Sequence, residues 1–225
     1  MLRAGVIGLG DMGSGLAKNL IKNGITTTGL DLSDERMSAF VEMSGTPAGS
    51  VAELGTNSDA VFVMVMNGVQ AKAVILGDDG LAAHMPKGGA VILTATIKPS
   101  EARDIGAALE GSGIHLIDSP VSGGFPGAQG GTLTMMAAAT SEVLDQYKPI
   151  MGAVSKTIHR VGTRAGDGQV MKSCLQTLIG SIFGATFEAA ALAAKAGVSG
   201  QALYDVFSTS GASCGVANGA LENII

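Results

Sequence analysis

Ala4-Gly5-Val6-Ile7-Gly8-Leu9-Gly10-Asp11-Met12-Gly13 decides the reading of this chain. A short apolar run enters a G-x-G-x-x-G pattern, and a second apolar stretch closes at Asp31, 23 positions after Gly8. The spacing has a physical cause. Gly8 permits a tight turn out of a strand, Gly10 lets backbone approach a pyrophosphate, and Gly13 lets the following helix pack close to the sheet. The phosphates then rest on a helix N-terminus. A chain with 34 glycines produces such patterns by chance, and a plain glycine turn is the competing reading. Context argues against it: the pattern follows a strand and precedes helical spacing of Leu16, Ala17, Leu20 and Ile21 up to Gly24, with an acidic residue at the expected distance.

Asp31 selects the nucleotide. A carboxylate at the end of the second strand accepts hydrogen bonds from a ribose hydroxyl but repels a 2′-phosphate, which favours NAD over NADP and leaves NADP possible. Arg36 lies five residues on and could reach a phosphate. Its place after Ser33 predicts the exposed face of the next helix.

Outward from this motif, strand-like and helix-like segments alternate: helix from Ser33 to Met43, strand Ala60 to Met66, helix Val69 to Ile75, strand Ala90 to Thr94, helix Ser100 to Leu109. Strands follow at His115 to Asp118, Thr132 to Ala138 and Val154 to Arg160, making a sheet of seven or eight strands. Such alternation predicts a doubly wound α/β fold with a mostly parallel sheet over residues 1–162. Beyond Gly162 the pattern becomes wholly helical, so residues 163–225 are expected to form a second domain. One long helix from Asp167 to Lys195, with Gly180 and Gly184 as candidate break points, would run roughly 40 Å at 1.5 Å per residue and join the two. Its small-residue face (Gly180, Gly184, Ala185, Ala189, Ala190, Ala193) suits close helix approach, either within the chain or in a homodimer or homotetramer.

Composition narrows the function classes. Hydrophobic residues make up 46% of the 225, enough for a real core. No uninterrupted apolar run reaches the roughly 18 residues needed to span a bilayer, and no secretory signal opens the chain, so a cytoplasmic protein with no membrane partner is expected. The net charge of −5 and the 4% aromatic content supply neither a basic field nor stacking platforms for nucleic acid. Cys174 and Cys214 are far apart and His84, His115 and His159 are scattered, which suggests neither disulfide nor metal site. A small anionic ligand must then be held by local donors.

Two segments offer such donors. In Asp118-Ser119-Pro120-Val121-Ser122-Gly123-Gly124, a strand end breaks into a small-residue turn whose amides, with the Ser122 hydroxyl, could form an anion nest or simply an ordinary loop. In Gly166-Asp167-Gly168-Gln169-Val170-Met171-Lys172-Ser173-Cys174-Leu175-Gln176, Lys172 and Gln176 are four apart on one helix face. Lys172 among apolar neighbours would be partly desolvated and its pKa depressed, which suits a general acid or base; a solvated side chain is the alternative.

The three segments occur in the order found in β-hydroxyacid dehydrogenases related to 6-phosphogluconate dehydrogenase, and the resemblance extends over the whole chain. It takes in Lys18-Asn19-Leu20, Asn67, Thr94-Ala95-Thr96 and Glu188 to Gly197. The resemblance implies a Rossmann-type domain followed by an all-helical one. It places pyrophosphate on Gly8, Leu9, Gly10, Asp11, Met12 and Gly13, ribose on Asp31, and the nicotinamide half of NAD beside Met66, Asn67 and Thr96. It implies that Ser122, Gly123 and Gly124 hold a substrate carboxylate, that Lys172 is the acid/base, and that Gln176 replaces an asparagine that bonds the substrate. Gln176 and Asn67-Gly68-Val69-Gln70 resemble the subgroup of L-threonate and other four-carbon sugar-acid dehydrogenases, although Leu175 stands where that subgroup tends to carry histidine. Smaller hydroxy acids such as 3-hydroxyisobutyrate, and reduction of a semialdehyde, stay open. So does a non-catalytic NAD-binding sensor; an imine reductase is disfavoured by Lys172. Chains of this family continue past the position of Ile225 through further helices, so a shortened form with an incomplete site is expected.

Overall fold

The structure is a computed structural model that describes residues 2–225. In chain order the elements are β1 (Ala4–Ile7), α1 (Asp11–Lys22), β2 (Thr27–Leu30), α2 (Asp34–Glu42), β3 (Thr46–Pro47), α3 (Val51–Thr56), β4 (Ala60–Val63), α4 (Gly68–Leu76), α5 (Leu81–His84) and β5 (Ala90–Leu93). They continue with α6 (Pro99–Leu109), β6 (His115–Asp118), β7 (Val121–Ser122), α7 (Gly124–Gly130), β8 (Leu133–Ala138), α8 (Ser141–Val154), β9 (Ser155–Gly162), α9 (Asp167–Lys195), α10 (Gly200–Thr209) and α11 (Gly215–Glu222). Two compact units result, the first ending at Lys172 and the second covering Ser173–Ile225.

The strands of the first unit form one sheet in the order β3-β2-β1-β4-β5-β6-β8-β7, with β9 on β8. From β3 to β6 every pairing is parallel, so the strands all end at the same edge. Sequence alternation explains why helices cover both faces. Ala4, Val6, Phe62 and Ile92 point into a core closed by Leu16 and Leu20 of α1, Phe40 of α2, and Tyr147 and Ile150 of α8. Ile7, Val61, Val63, Val91 and Leu93 point the other way, onto Leu54 of α3, Ile75 of α4, Leu81 of α5 and Ile105 of α6. Strands buried on both faces read as continuous apolar runs, and β4 and β5 do.

The sheet is mostly parallel as expected, but it has nine strands among the described residues. The additions, β3 and β7, are two residues long, too short to show periodicity. Near the substrate-loop candidate the chain departs from the expected turn. β7 pairs antiparallel with β8, Ser122 opposite Thr134, and α7 begins at Gly124. Helices α3, α5 and α8 were also unannounced, and α9 is continuous through Gly180 and Gly184. Those glycines cost about 1 kcal/mol each in helix propensity, too little to break a helix of 29 residues.

By length and composition α9 is apolar enough to cross a membrane, with a mean hydropathy of 1.5 over its most apolar window. No apolar run in α9 is unbroken, since Gly, Ser, Thr and Glu188 interrupt it, so the expectation drawn from unbroken runs is not overturned. In the second unit, α10 joins α11 through the Tyr204 hydroxyl, which donates to Glu222 at 2.6 Å.

Helix α1 packs on α7 at close range. A Cβ on Gly15 would lie 2.6 Å from the Ala128 carbonyl carbon. Buried Asn19 donates from Nδ2 to the carbonyls of Gly15 (2.8 Å), Ala128 (2.9 Å) and Gln129 (3.2 Å). Gly15→Ala is expected to destabilise the fold by about 1–3 kcal/mol in chemical denaturation, as overpacking does. Gly152→Ala, on an α8 position with open space around it, is expected to be neutral or slightly stabilising.

Candidate active site

The parallel strands deliver the candidate segments to one place. β1 ends in Gly8, β2 in Asp31, β4 leads to Met66 and Asn67, β5 to Thr96, and β6 to Asp118. In open α/β sheets this carboxyl edge is where ligands bind.

The turn after β1 fits a dinucleotide. Gly8 has φ +89°, and a side chain there would overlap the Met64 carbonyl; one on Gly13 would overlap the Gly8 carbonyl. Gly10, the residue before α1, offers no side-chain cap, so the first turn of Asp11, Met12 and Gly13 has no capping side chain. Together these make a helix N-terminus with backbone access, the requirement for a pyrophosphate. The Leu9 amide has a different duty: it donates to Asp31 Oδ2 at 2.7 Å. Asp31 also accepts from the Ser33 amide at 2.9 Å and faces Arg36 at 3.5 Å. Burial alone would raise the pKa of its carboxyl, but the Leu9 and Ser33 amides and the Arg36 charge outweigh burial and hold it below the ordinary carboxylate range.

Arg36 is exposed on α2, as its place after Ser33 predicts. Its guanidinium turns back toward Gly10, 3.7–3.8 Å from where a Cβ on that glycine would lie, as well as toward Asp31. The side chain stays exposed as expected, and the ion pair with Asp31 draws it over the nucleotide turn.

Met66 and Asn67 are held by a residue given no role from sequence. The Asn67 side chain caps α4 by accepting from the Gln70 amide at 2.9 Å, and Gln70 in turn accepts from the Met66 amide at 2.9 Å. This reciprocal bonding orders the loop while leaving the Met66 side chain exposed. Thr96 is exposed between buried Ala95 and Ile97. Ser122 is half-buried at the end of β7; Gly123 and Gly124 follow with φ of +129° and +57°, conformations that favour glycine.

Lys172 is half-buried in the second turn of α9, and desolvation by burial lowers its pKa from the ordinary 10.5. Three residues before it on α9, Gln169 belongs to a buried polar pair with Asp118. The side chains of Asp118 and Gln169 are buried and bonded to each other, Nε2 to Oδ1 at 2.9 Å. Burial pushes the Asp118 carboxyl up, against the pull of hydrogen bonds from Gln169, Gly166 and Gly168. Gln176, one turn beyond Lys172 along the same helix, is exposed in the second unit.

Residues 3–162 match the profile of the NAD-binding domain of 6-phosphogluconate dehydrogenase, and residues 166–225 that of NADP-dependent 3-hydroxyisobutyrate dehydrogenase. The chain belongs to the β-hydroxyacid dehydrogenase family. An L-threonate dehydrogenase of Cupriavidus necator is 38% identical over 206 residues, covering 92% of this chain and 69% of that protein. An NAD-dependent L-serine dehydrogenase of Pseudomonas aeruginosa is 34% identical over 92% of this chain and 69% of its own length. The solved structure of a 3-hydroxyisobutyrate dehydrogenase from Salmonella typhimurium superposes with a TM-score of 0.89 at 31% identity, over all of this chain and 78% of that one. Like other β-hydroxyacid dehydrogenases, this protein is an NAD(P)-dependent oxidoreductase, and its turn after β1 suits that cofactor.

At the end of β2, Asp31 is a carboxylate that would oppose a 2′-phosphate, and Arg36 is the cation beside it. Arg36→Ala is expected to weaken NADPH binding at least threefold more than NADH binding in fluorescence titration. Equal losses would show that the guanidinium does not read the ribose substituent.

Proposed function

We propose that Lys172 is the general acid/base of a dehydrogenase acting on a small anionic hydroxy acid, and that four-carbon sugar acids such as L-threonate are its first candidate substrates. The observation that carries this reading is the position of Lys172: half-buried, in the second turn of α9, on a helix that starts against the end of β6 and against Met136 of β8. A Cβ on Gly168 would come within 2.5–2.8 Å of the Asp118 and Met136 carbonyls. The relatives named L-threonate dehydrogenase support the substrate class. Leu175 makes the site less polar than the threonate subgroup leads one to expect, which keeps 3-hydroxyisobutyrate and L-serine on the candidate list.

Gly8 to Gly13, Asp31, Met66, Asn67 and Thr96 would hold the dinucleotide. When bound, its nicotinamide supplies the hydride acceptor. The chain's own work is orientation and proton transfer. Ser122 and the Gly123 and Gly124 amides would hold the substrate carboxylate. Neutral Lys172 Nζ takes the proton of the substrate hydroxyl as the carbinol carbon loses hydride, leaving a carbonyl; in reduction the ammonium returns the proton. Gln176 would donate to or accept from a substrate hydroxyl.

Depression of the Lys172 pKa sets the pH dependence. Oxidation needs the free amine, so its rate rises with pH on a limb that lies below 10.5. Lys172→Ala is expected to lower turnover about 10²–10⁴-fold in nicotinamide absorbance assays over L-threonate, L-serine and 3-hydroxyisobutyrate, with NADH binding unchanged. Retained turnover would remove Lys172 from the mechanism. Turnover with none of these acids would move the substrate class elsewhere.

We further propose a cytoplasmic homo-oligomer. Leu178, Phe183, Phe187 and Leu192 of α9 are exposed, and Phe183 stacks on Phe187 with ring centroids 5.8 Å apart. Apolar surface of this extent favours a protein partner. Sedimentation is expected to give a dimer or tetramer, and Phe187→Glu to shift it toward monomer; a monomeric parent protein would refute the assembly.

A further inference from the structure

The buried amide of Gln169 has only one workable orientation. Its Oε1 accepts from the Ile97 amide at 3.0 Å, while Nε2 donates to the Ala95 carbonyl at 3.1 Å and to Asp118 Oδ1 at 2.9 Å. Turning the amide over would set donor against donor at Ile97 and acceptor against acceptor at both other contacts. Asp118 is equally constrained. Its Oδ2 accepts from the Gly166 amide at 2.8 Å and the Gln169 amide at 3.2 Å, so both carboxylate oxygens face N–H groups. A group that must accept at both oxygens is an ionised carboxylate, placed where the first turn of α9 carries partial positive charge.

This pair ties three segments of the first unit together. Ala95 and Ile97 flank Thr96 on both sides, so their two bonds fix that loop. Asp118 closes β6 four residues before Ser122. Gln169 precedes Lys172 by three residues, less than one turn of α9. Neither side chain is exposed, and neither could touch a substrate.

We propose that Asp118 and Gln169 are positioning residues, a buried polar clamp that sets Lys172 in register with the Thr96 loop and the strand leading to Ser122. The inference rests on the reading of Lys172 as acid/base. Without the clamp the first turn of α9 would no longer be pinned, Lys172 would drift out of line with the hydroxyl and gain access to water. A misplacement of about 1 Å is enough to cost on the order of 100-fold in rate.

The polarity of the pair supplies the test. Asp118→Asn sets two amide donors face to face, and Gln169→Glu sets two carboxylates face to face. In the double variant the new amide donates to the new carboxylate, and only the Ala95 bond stays lost. We expect each single variant to lower kcat about 10–100-fold while the NADH dissociation constant, by fluorescence, stays within about twofold. The double variant is expected to recover most of kcat. Gln169→Met, which has no donor or acceptor at similar length, should move the ascending limb of the oxidation pH profile upward toward the ordinary lysine range. Burial is the one cause of the depression, so added water relieves it. Hydrogen exchange at the Ile97 and Gly166 amides should quicken in the same variant.

Two results would overturn the clamp. One is kcat within about twofold of the parent in both Gln169 variants while Lys172→Ala is inactive, which leaves the acid/base reading standing. The other is loss of kcat that tracks loss of NADH binding and of folded protein, with the pH limb unmoved and no rescue in the double variant. Turnover in Lys172→Ala would instead remove the underlying reading. Should Asp118→Asn fail to fold, Gln169→Met decides the matter alone.

Discussion

Parallel pairing from β3 to β6 is the constraint on which the remainder of the first unit depends. Strands that run the same way end at the same edge, and each connection must leave that edge before a helix returns the chain. Five segments with separate chemistry are thereby gathered: the glycine turn at Gly8, the carboxylate of Asp31, the loop at Asn67, the loop at Thr96 and the end of β6 at Asp118. None is near another in sequence. The antiparallel excursion through β7 and β8 carries Ser122 beyond this edge on a strand that stays paired, so the substrate-loop candidate starts from a rigid base.

Polar bonds between segments, more than apolar packing, hold this edge in order. The core on either face fixes where the helices lie to within a side chain. Registering a loop requires directional contacts. The Leu9 amide on Asp31 closes the nucleotide turn, Gln70 reciprocates the Asn67 cap, Asn19 ties α1 to α7, and Asp118 with Gln169 ties β6 and the Thr96 loop to α9. Hydrogen bonds to a charged group are worth about 1.5–3 kcal/mol each, and a buried carboxylate left without them costs several kcal/mol. A satisfied buried carboxylate therefore specifies one arrangement strongly, as the apolar contacts around it do not.

Legibility in the sequence followed physical range. Elements with strong local signals were readable: β1, β6 and α9 were expected where they occur, and β5 and α6 to within one residue. The two-residue strands β3 and β7 carry no periodicity, and β7 exists only because β8 lies beside it. Short α5 and the helix at Gly124–Gly130 resemble turns by composition, since Gly and Pro disfavour helix locally and tertiary packing overrides that preference. At the candidate site, Gly8 to Gly13, Asp31 and Lys172 stood out because spacing or residue type signals their chemistry. Arg36 is exposed on α2 as its position predicts, but its pairing with Asp31 was not legible, because that partner is reached only after the chain folds. Gln169 gave no signal at all: a glutamine in the first turn of an amphipathic helix looks like a solvated residue.

The sequence by itself determined the alternation of strands and helices, the nucleotide turn with its acidic companion, and the family, since each depends on residues within a few tens of positions. Only the tertiary structure decided which polar groups are buried together. Whether Asp118 is a surface carboxylate or a buried anion, and whether Gln169 faces water or Ile97 and Ala95, depends on contacts 48–74 residues apart in the chain. Burial of a polar group is a property of everything packed around it, and no local pattern encodes it.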